Sequence, residues 1–244
     1  MRDEADRLVF LHGFTQTHHH WHRCALRIAA ACGDPTVRLV DLPGHGLSAD
    51  DATGIGDAAV PLVQLAGAGT YVGYSMGGRY ALHAALARPD AVRRLVLVGA
   101  SPGIEDESER RRRREADDRL ADHILEVGVE TFIEEWLSQP LFGSFPREQA
   151  GVEARCRNTA EGLARSLLTS GTGVQESLWQ RLGELTMPVL VLAGELDAKF
   201  TDIARRMAEQ IPSATFESIP GAGHAAHGEQ PEATAQIVAG WLTA

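Results

Sequence analysis

The stretch Gly73-Tyr74-Ser75-Met76-Gly77-Gly78-Arg79 decides the fold. Before it, Thr70-Tyr71-Val72 is an apolar run that reads as a buried strand. After it, Tyr80 to Leu86 is alanine-rich and reads as a helix. A serine at a sharp strand-to-helix turn, with glycines two before and two after, has the setting of a nucleophile elbow. A side chain at either glycine would collide with the neighbouring strand or helix. The turn lifts the hydroxyl clear of the sheet and aims the Met76 N–H at the place where an oxyanion would form.

The same pattern repeats outward along the chain. Arg7 to Leu11, Leu95 to Val98 and Pro188 to Ala193 are short, largely apolar runs of strand type, and Val37 to Val40 and Ala214 to Ile219 also read as strands. Helical spacing lies between them, over Trp21 to Ala31, Asp57 to Leu65, Thr201 to Gln210 and Pro231 to Trp241. Strands alternating with helices predict an α/β fold with a mostly parallel, doubly wound sheet. Its polar loops gather at the carboxyl edge, where open sheets place their sites. Residues 104–185 break the pattern. They hold no strand-like run, are charged and helix-prone, and are punctuated by Pro140, Gly143, Pro146 and Gly171-Thr172-Gly173. The expected organisation is a core of residues 1–103 and 186–244 with a helical cap, 104–185, inserted.

Composition narrows the function. The chain has 244 residues and a formal net charge of −10. Nucleic-acid binding needs a basic surface and is not expected. No apolar run approaches the roughly 20 residues that span a bilayer, so no membrane association is expected. The short acidic start, Met1 to Arg7, lacks the plan of a signal peptide, so a cytoplasmic location is expected. Cys24, Cys32 and Cys156 are odd in number and lack metal-ligand spacing, which predicts idle thiols.

Ser75 needs a base. Gly221-Ala222-Gly223-His224 follows the last strand, and Gly194-Glu195-Leu196-Asp197 follows the strand before it. Serine, aspartate and histidine in that chain order predict a triad of Ser75, Asp197 and His224. His227 competes with His224, and Glu195 and Asp202 with Asp197. His224 is favoured because it directly follows the glycines after its strand, and Asp197 because it lies just past its own. His12-Gly13-Phe14 ends the first strand and offers the Phe14 N–H as a second oxyanion donor beside that of Met76. The tract His18-His19-His20-Trp21-His22 has no accompanying carboxylate or cysteine set. A solvated helix start, with Trp21 near the pocket mouth, is expected there rather than a metal site. Arg110 to Arg114 is flanked by acids, and pairs such as Asp106–Arg110 and Arg113–Asp117 account for most of that charge. Arg79 is different. An arginine on the first turn of the elbow helix suits a carboxylate, so an acidic substrate is expected on an acidic protein.

These motifs resemble the α/β-hydrolase-fold enzymes. More closely, the sequence is similar to the 2-succinyl-6-hydroxy-2,4-cyclohexadiene-1-carboxylate (SHCHC) synthases of menaquinone biosynthesis, which are lyases on that fold. The similarity runs along nearly the whole chain. Its more specific carriers are Arg79 after the double glycine, Trp136-Leu137-Ser138-Gln139-Pro140-Leu141-Phe142, and Asp197-Ala198-Lys199-Phe200; Arg157-Asn158 also belongs to it. The histidines after Phe14 depart from the family's usual pattern. The resemblance implies the triad above, Arg79, Arg113 and Arg157 as carboxylate binders, and Tyr74, Trp136 and Phe142 as pocket lining. Five adjacent arginines leave the register of Arg113 open. The implied reaction eliminates pyruvate from a small, multiply anionic cyclohexene carboxylate, without metal or organic cofactor. A serine hydrolase acting on an acidic small molecule is the alternative.

Overall fold

The structure, a computed structural model, describes residues 7–244. The acidic start read above lies, but for Arg7, outside the described residues. Six parallel strands form one sheet: β1 (Arg7–Leu11), β2 (Thr36–Val40), β3 (Gly69–Tyr74), β4 (Val92–Val98), β5 (Val189–Gly194) and β6 (Ala214–Ile219), in the order β2-β1-β3-β4-β5-β6. Every residue of β3 and β5 is buried, whereas the edge strands β2 and β6 alternate. Central strands of a parallel sheet are covered on both faces, so they read as unbroken apolar runs.

Helices α1 (His22–Ala31), α2 (Ala59–Ala66) and α3 (Met76–Ala87) follow the first three strands. Between β4 and β5 the chain forms helices joined by loops. It comprises α4 (Glu107–Leu137), α5 (Val152–Arg155), α6 (Ala160–Ser170) and short 3₁₀ turns. Asp106 caps α4 by accepting the Glu109 N–H at 2.7 Å, and Gly128, at φ 78°, kinks it. The last helices are α7 (Ala198–Gln210), the single turn α8 (Ala226–Glu229) and α9 (Pro231–Thr243). The side chains of α2, α3 and α7 pack on one face of the sheet, and those of α1 and α9 on the other.

This topology places the site. The chain runs from β1 outward to β2 and then returns to β3 on the other side of β1, so a switch point falls between β1 and β3. Leu11 pairs with Gly73, so the His12–Phe14 loop and the Ser75 turn leave adjacent strands at the same level. Trp21 is not at a pocket mouth. It is fully buried against Phe10 and His227, and its indole N–H donates to the Leu11 carbonyl at 2.9 Å. A large ring with one donor gains most where the ring is covered and the donor has a partner. Among the described residues no helix is long and apolar enough to cross a membrane.

Candidate active site

Ser75 adopts φ 50° and ψ −109°, a conformation that costs energy for a non-glycine residue and persists only where its surroundings enforce it. The glycines around it enforce it. A Cβ on Gly73 or Gly77 would strike backbone, that of Gly77 and Leu11 respectively, and one on Gly78 would strike the Ala100 side chain. The Ser75 N–H donates to the Val98 carbonyl at 2.9 Å, which ties the turn to β4.

His224 stands between two partners. Its Nδ1 lies 2.8 Å from Asp197 Oδ2, and its Nε2 lies 3.3 Å from Ser75 Oγ. Asp197 divides its oxygens, because Oδ1 also accepts the Phe200 N–H and caps α7. The competing residues lie elsewhere. His227 is stacked between Trp21 and Tyr74, and burial pushes its pKa down to about 3. Glu195 accepts the Gly221 N–H, and Asp202 is exposed. Glu229, given no role by the sequence, holds the loop that carries His224. It accepts the N–H groups of Gly223 and Ala225 and the hydroxyl of Ser144.

Beside the triad lies a cavity of about 450 Å³. Phe14 and Met76 line it, and among the described residues neither backbone N–H has a protein acceptor. Two neutral imidazoles support the Phe14 loop. His12 Nε2 accepts the Leu42 N–H, and His45 Nε2 accepts the Thr15 N–H. Burial lowers their pKa values to about 4 and about 3. The histidine tract is also more engaged than a solvated helix start. His18 bonds Asp41 through both its N–H and its ring, and His20 is largely covered beside Thr17. Among the described residues no three His, Cys, Asp or Glu side chains converge as a metal site requires.

Tyr74, Trp136 and Phe142 line the cavity, as do Arg79 and Arg113. Arg113 is half-exposed, with its Nε 2.8 Å from Asp117 Oδ1. Arg157 is a correction. It is solvent-facing, beside Glu153 and His19, and Arg155 lines the cavity in its place. Residues two apart at the end of a helical turn point about 200° apart, so only one of the two can face inward. Lys199 and Gln139 line the cavity as well.

The electrostatics of the two inner arginines are unusual. Arg79 is 7% exposed and Arg155 1%, yet among the described residues neither has a carboxylate within salt-bridge distance. Arg79 donates to the Gln175 side-chain oxygen at 2.9 Å. Arg155 donates to the Ala150 carbonyl at 2.8 Å and to Thr15 Oγ1. Burial lowers both pKa values to about 10, so both stay charged near neutrality. Buried charge held only by neutral acceptors is costly, and an entering anion relieves that cost.

The model of the alpha/beta hydrolase family matches residues 8–237. The chain belongs to the alpha/beta hydrolase family. Within this hydrolase family it is 34% identical over 92% of its length to the 2-succinyl-6-hydroxy-2,4-cyclohexadiene-1-carboxylate synthase of Escherichia coli O1:K1, of which 88% is covered. A Bacillus subtilis (strain 168) protein that carries the same name provisionally is 37% identical over 98% of this chain and 91% of its own. Among solved structures, MenH from S. aureus superposes with a TM-score of 0.89 at 33% identity, covering 100% of this chain and 95% of that one. A malate-bound thermophilic esterase from Thermogutta terrifontis superposes at 0.81 with 25% identity, over 97% and 89% of the two chains.

Proposed function

We propose that this enzyme eliminates pyruvate from 2-succinyl-5-enolpyruvyl-6-hydroxy-3-cyclohexene-1-carboxylate to give 2-succinyl-6-hydroxy-2,4-cyclohexadiene-1-carboxylate. The observation that carries the reading is the pair of buried guanidiniums beside Ser75, Arg79 and Arg155, held among the described residues by neutral acceptors alone. A multiply anionic substrate supplies the missing carboxylates. Each charge-assisted hydrogen bond contributes about 1.5–3 kcal/mol. An esterase for neutral substrates has no use for two uncancelled charges in its pocket.

The chemistry follows from the substrate's bonds. The ring hydrogen at C2 is α to the succinyl ketone and allylic to the C3=C4 double bond, so its removal gives a delocalised dienolate. His224 withdraws the Ser75 hydroxyl proton, and Ser75 Oγ takes the C2 hydrogen. Asp197 fixes the imidazole tautomer and stabilises its charged form. The ketone oxygen gathers negative charge against the N–H groups of Phe14 and Met76. Electrons then move through C2=C3 and C4=C5, and the C5–O bond breaks. The departing enolate of pyruvate takes up a proton and becomes pyruvate. Ser75 is a proton carrier in this scheme, and no acyl-enzyme forms.

The same triad geometry favours one second reading, hydrolysis of an ester or thioester with an acidic acyl group. One assay separates the two. The preceding cyclohexene intermediate is generated in situ and pyruvate is followed by a coupled dehydrogenase, beside a panel of neutral and acidic esters. Rapid pyruvate release that disappears in Ser75→Ala is expected. Brisk ester cleavage without enzyme-dependent pyruvate would replace the lyase by the hydrolase.

A further inference from the structure

We infer that Asn158 is a positioning residue that couples the anion-binding turn around Arg155 to the oxyanion loop. The inference rests on the reading that the Phe14 N–H receives the developing oxyanion. Asn158 is 4% exposed, between α5 and α6, and uses its whole amide. Its Nδ2 donates to the Thr15 carbonyl at 2.8 Å and to the Arg155 carbonyl at 2.9 Å. Its Oδ1 accepts the Gly46 N–H at 2.9 Å. One side chain thus joins three segments: the loop after β1, the loop after β2, and the turn that carries Arg155.

The residue gripped is the one next to the oxyanion donor. Thr15 follows Phe14 and has φ 67°, a left-handed conformation that a β-branched residue adopts only under constraint. Each of its polar groups is held from a different direction. The N–H donates to His45 Nε2, the carbonyl accepts from Asn158, and Oγ1 accepts from Arg155. Two of those three holds come from the helical segment between β4 and β5, more than a hundred residues away in sequence. Arg155 also lines the cavity, so the guanidinium that would meet a substrate carboxylate already touches the oxyanion loop. His45 alone would remain if the helical side let go. Thr15 would then relax towards negative φ, and Phe14 would turn its N–H away from the ketone oxygen.

A residue that aims the oxyanion donor affects kcat, whereas one that only binds the ground state affects KM. Asn158→Leu keeps about the same size and adds no charge but has no N–H for Thr15. Pyruvate release by this variant should lose about 10- to 100-fold in kcat, since removing an oxyanion donor outright costs about 10²–10³-fold. KM should stay within about threefold, because the Arg155 guanidinium keeps its Ala150 hold. A second readout uses a neutral p-nitrophenyl phosphonate, which labels Ser75 with release of p-nitrophenolate. Its phosphoryl oxygen occupies the oxyanion position, so labelling should slow by a similar factor. In the double variant with Arg155→Lys, the two effects on labelling should multiply to less than their product, since both act on Thr15.

Thermal unfolding and near-ultraviolet dichroism establish that each variant is folded. If Asn158→Leu does not fold, Asn158→Ser, whose shorter hydroxyl falls short of the Thr15 carbonyl, takes its place with the same expectation. A folded variant with unchanged kcat and unchanged labelling overturns the inference, as does a rise in KM alone. Unmutated enzyme that releases no pyruvate would sink the lyase reading. The phosphonate arm would still decide the role of Asn158.

Discussion

Replacing Gln175 by glutamate tests the charge logic of the pocket with almost no change of shape. Gln175 is 1% exposed, and its Oε1 accepts from Arg79 at 2.9 Å. The amide orients the guanidinium and leaves its charge uncancelled. A carboxylate in the same place would orient it equally well and also carry a negative charge. A substrate carboxylate on the open side of Arg79 would then lie about 6 Å from the new one. Like charges at that spacing repel by about 3 kcal/mol at an effective dielectric of about 20. One factor of ten corresponds to about 1.4 kcal/mol, so KM should rise about a hundredfold. The triad is untouched, so kcat should change by less than about threefold. Steady-state pyruvate release over a wide substrate range measures both. A rise in thermal midpoint should accompany the loss, because the buried charge has gained a partner. Unchanged KM in Gln175→Glu would refute the argument that uncancelled charge at Arg79 binds the substrate.

Other expectations follow from the same geometry. Arg155→Ala should raise KM at least tenfold by removing a charge-assisted contact worth about 1.5–3 kcal/mol, while Arg157→Ala should leave both constants unchanged; parallel kinetics would reverse the assignment if Arg157 proved the sensitive one. Asp197→Asn should lower kcat by about 10⁴-fold, with Ser75 in place, through loss of the correct His224 tautomer; single-turnover rates measure this. Stability should fall as pH drops below about 6.5. His12, His45 and His227 stay neutral in the fold until about pH 3–4, so the unfolded chain binds protons first, at up to about 1.4 kcal/mol per histidine per pH unit. Urea midpoints between pH 7 and 4 measure the slope, and a flat profile would contradict burial of the neutral rings. Gly77→Ala should cost about 3 kcal/mol or prevent folding, since its methyl would meet the Leu11 carbonyl; chemical denaturation reads it.

The sequence by itself determined the parts whose signals are local. The central strands were legible because a strand covered on both faces of a parallel sheet needs an apolar run, and the edge strands β2 and β6 by their place in the alternation with helices. The elbow was legible because its strained serine demands glycine at set distances, and that spacing is written along the chain. The order Ser75, Asp197, His224 followed, since each residue lies in the loop after a strand, and those loops converge at one edge of the sheet. The pocket's charge pattern was not legible in this way. Arg155 and Arg157 look alike in sequence, and only the docking of a short helical turn turns one inward and leaves the other in solvent. Trp21 reads as a helix start, yet the tertiary structure buries it under β1 because an indole there closes the space beside His227. Gln175 carries no local signature, and the Arg157-Asn158 pair does not say what Asn158 holds. Their meaning lies in partners 96 and 143 residues away, Arg79 and Thr15, and a hydrogen bond between distant segments exists only once the sheet has brought them together.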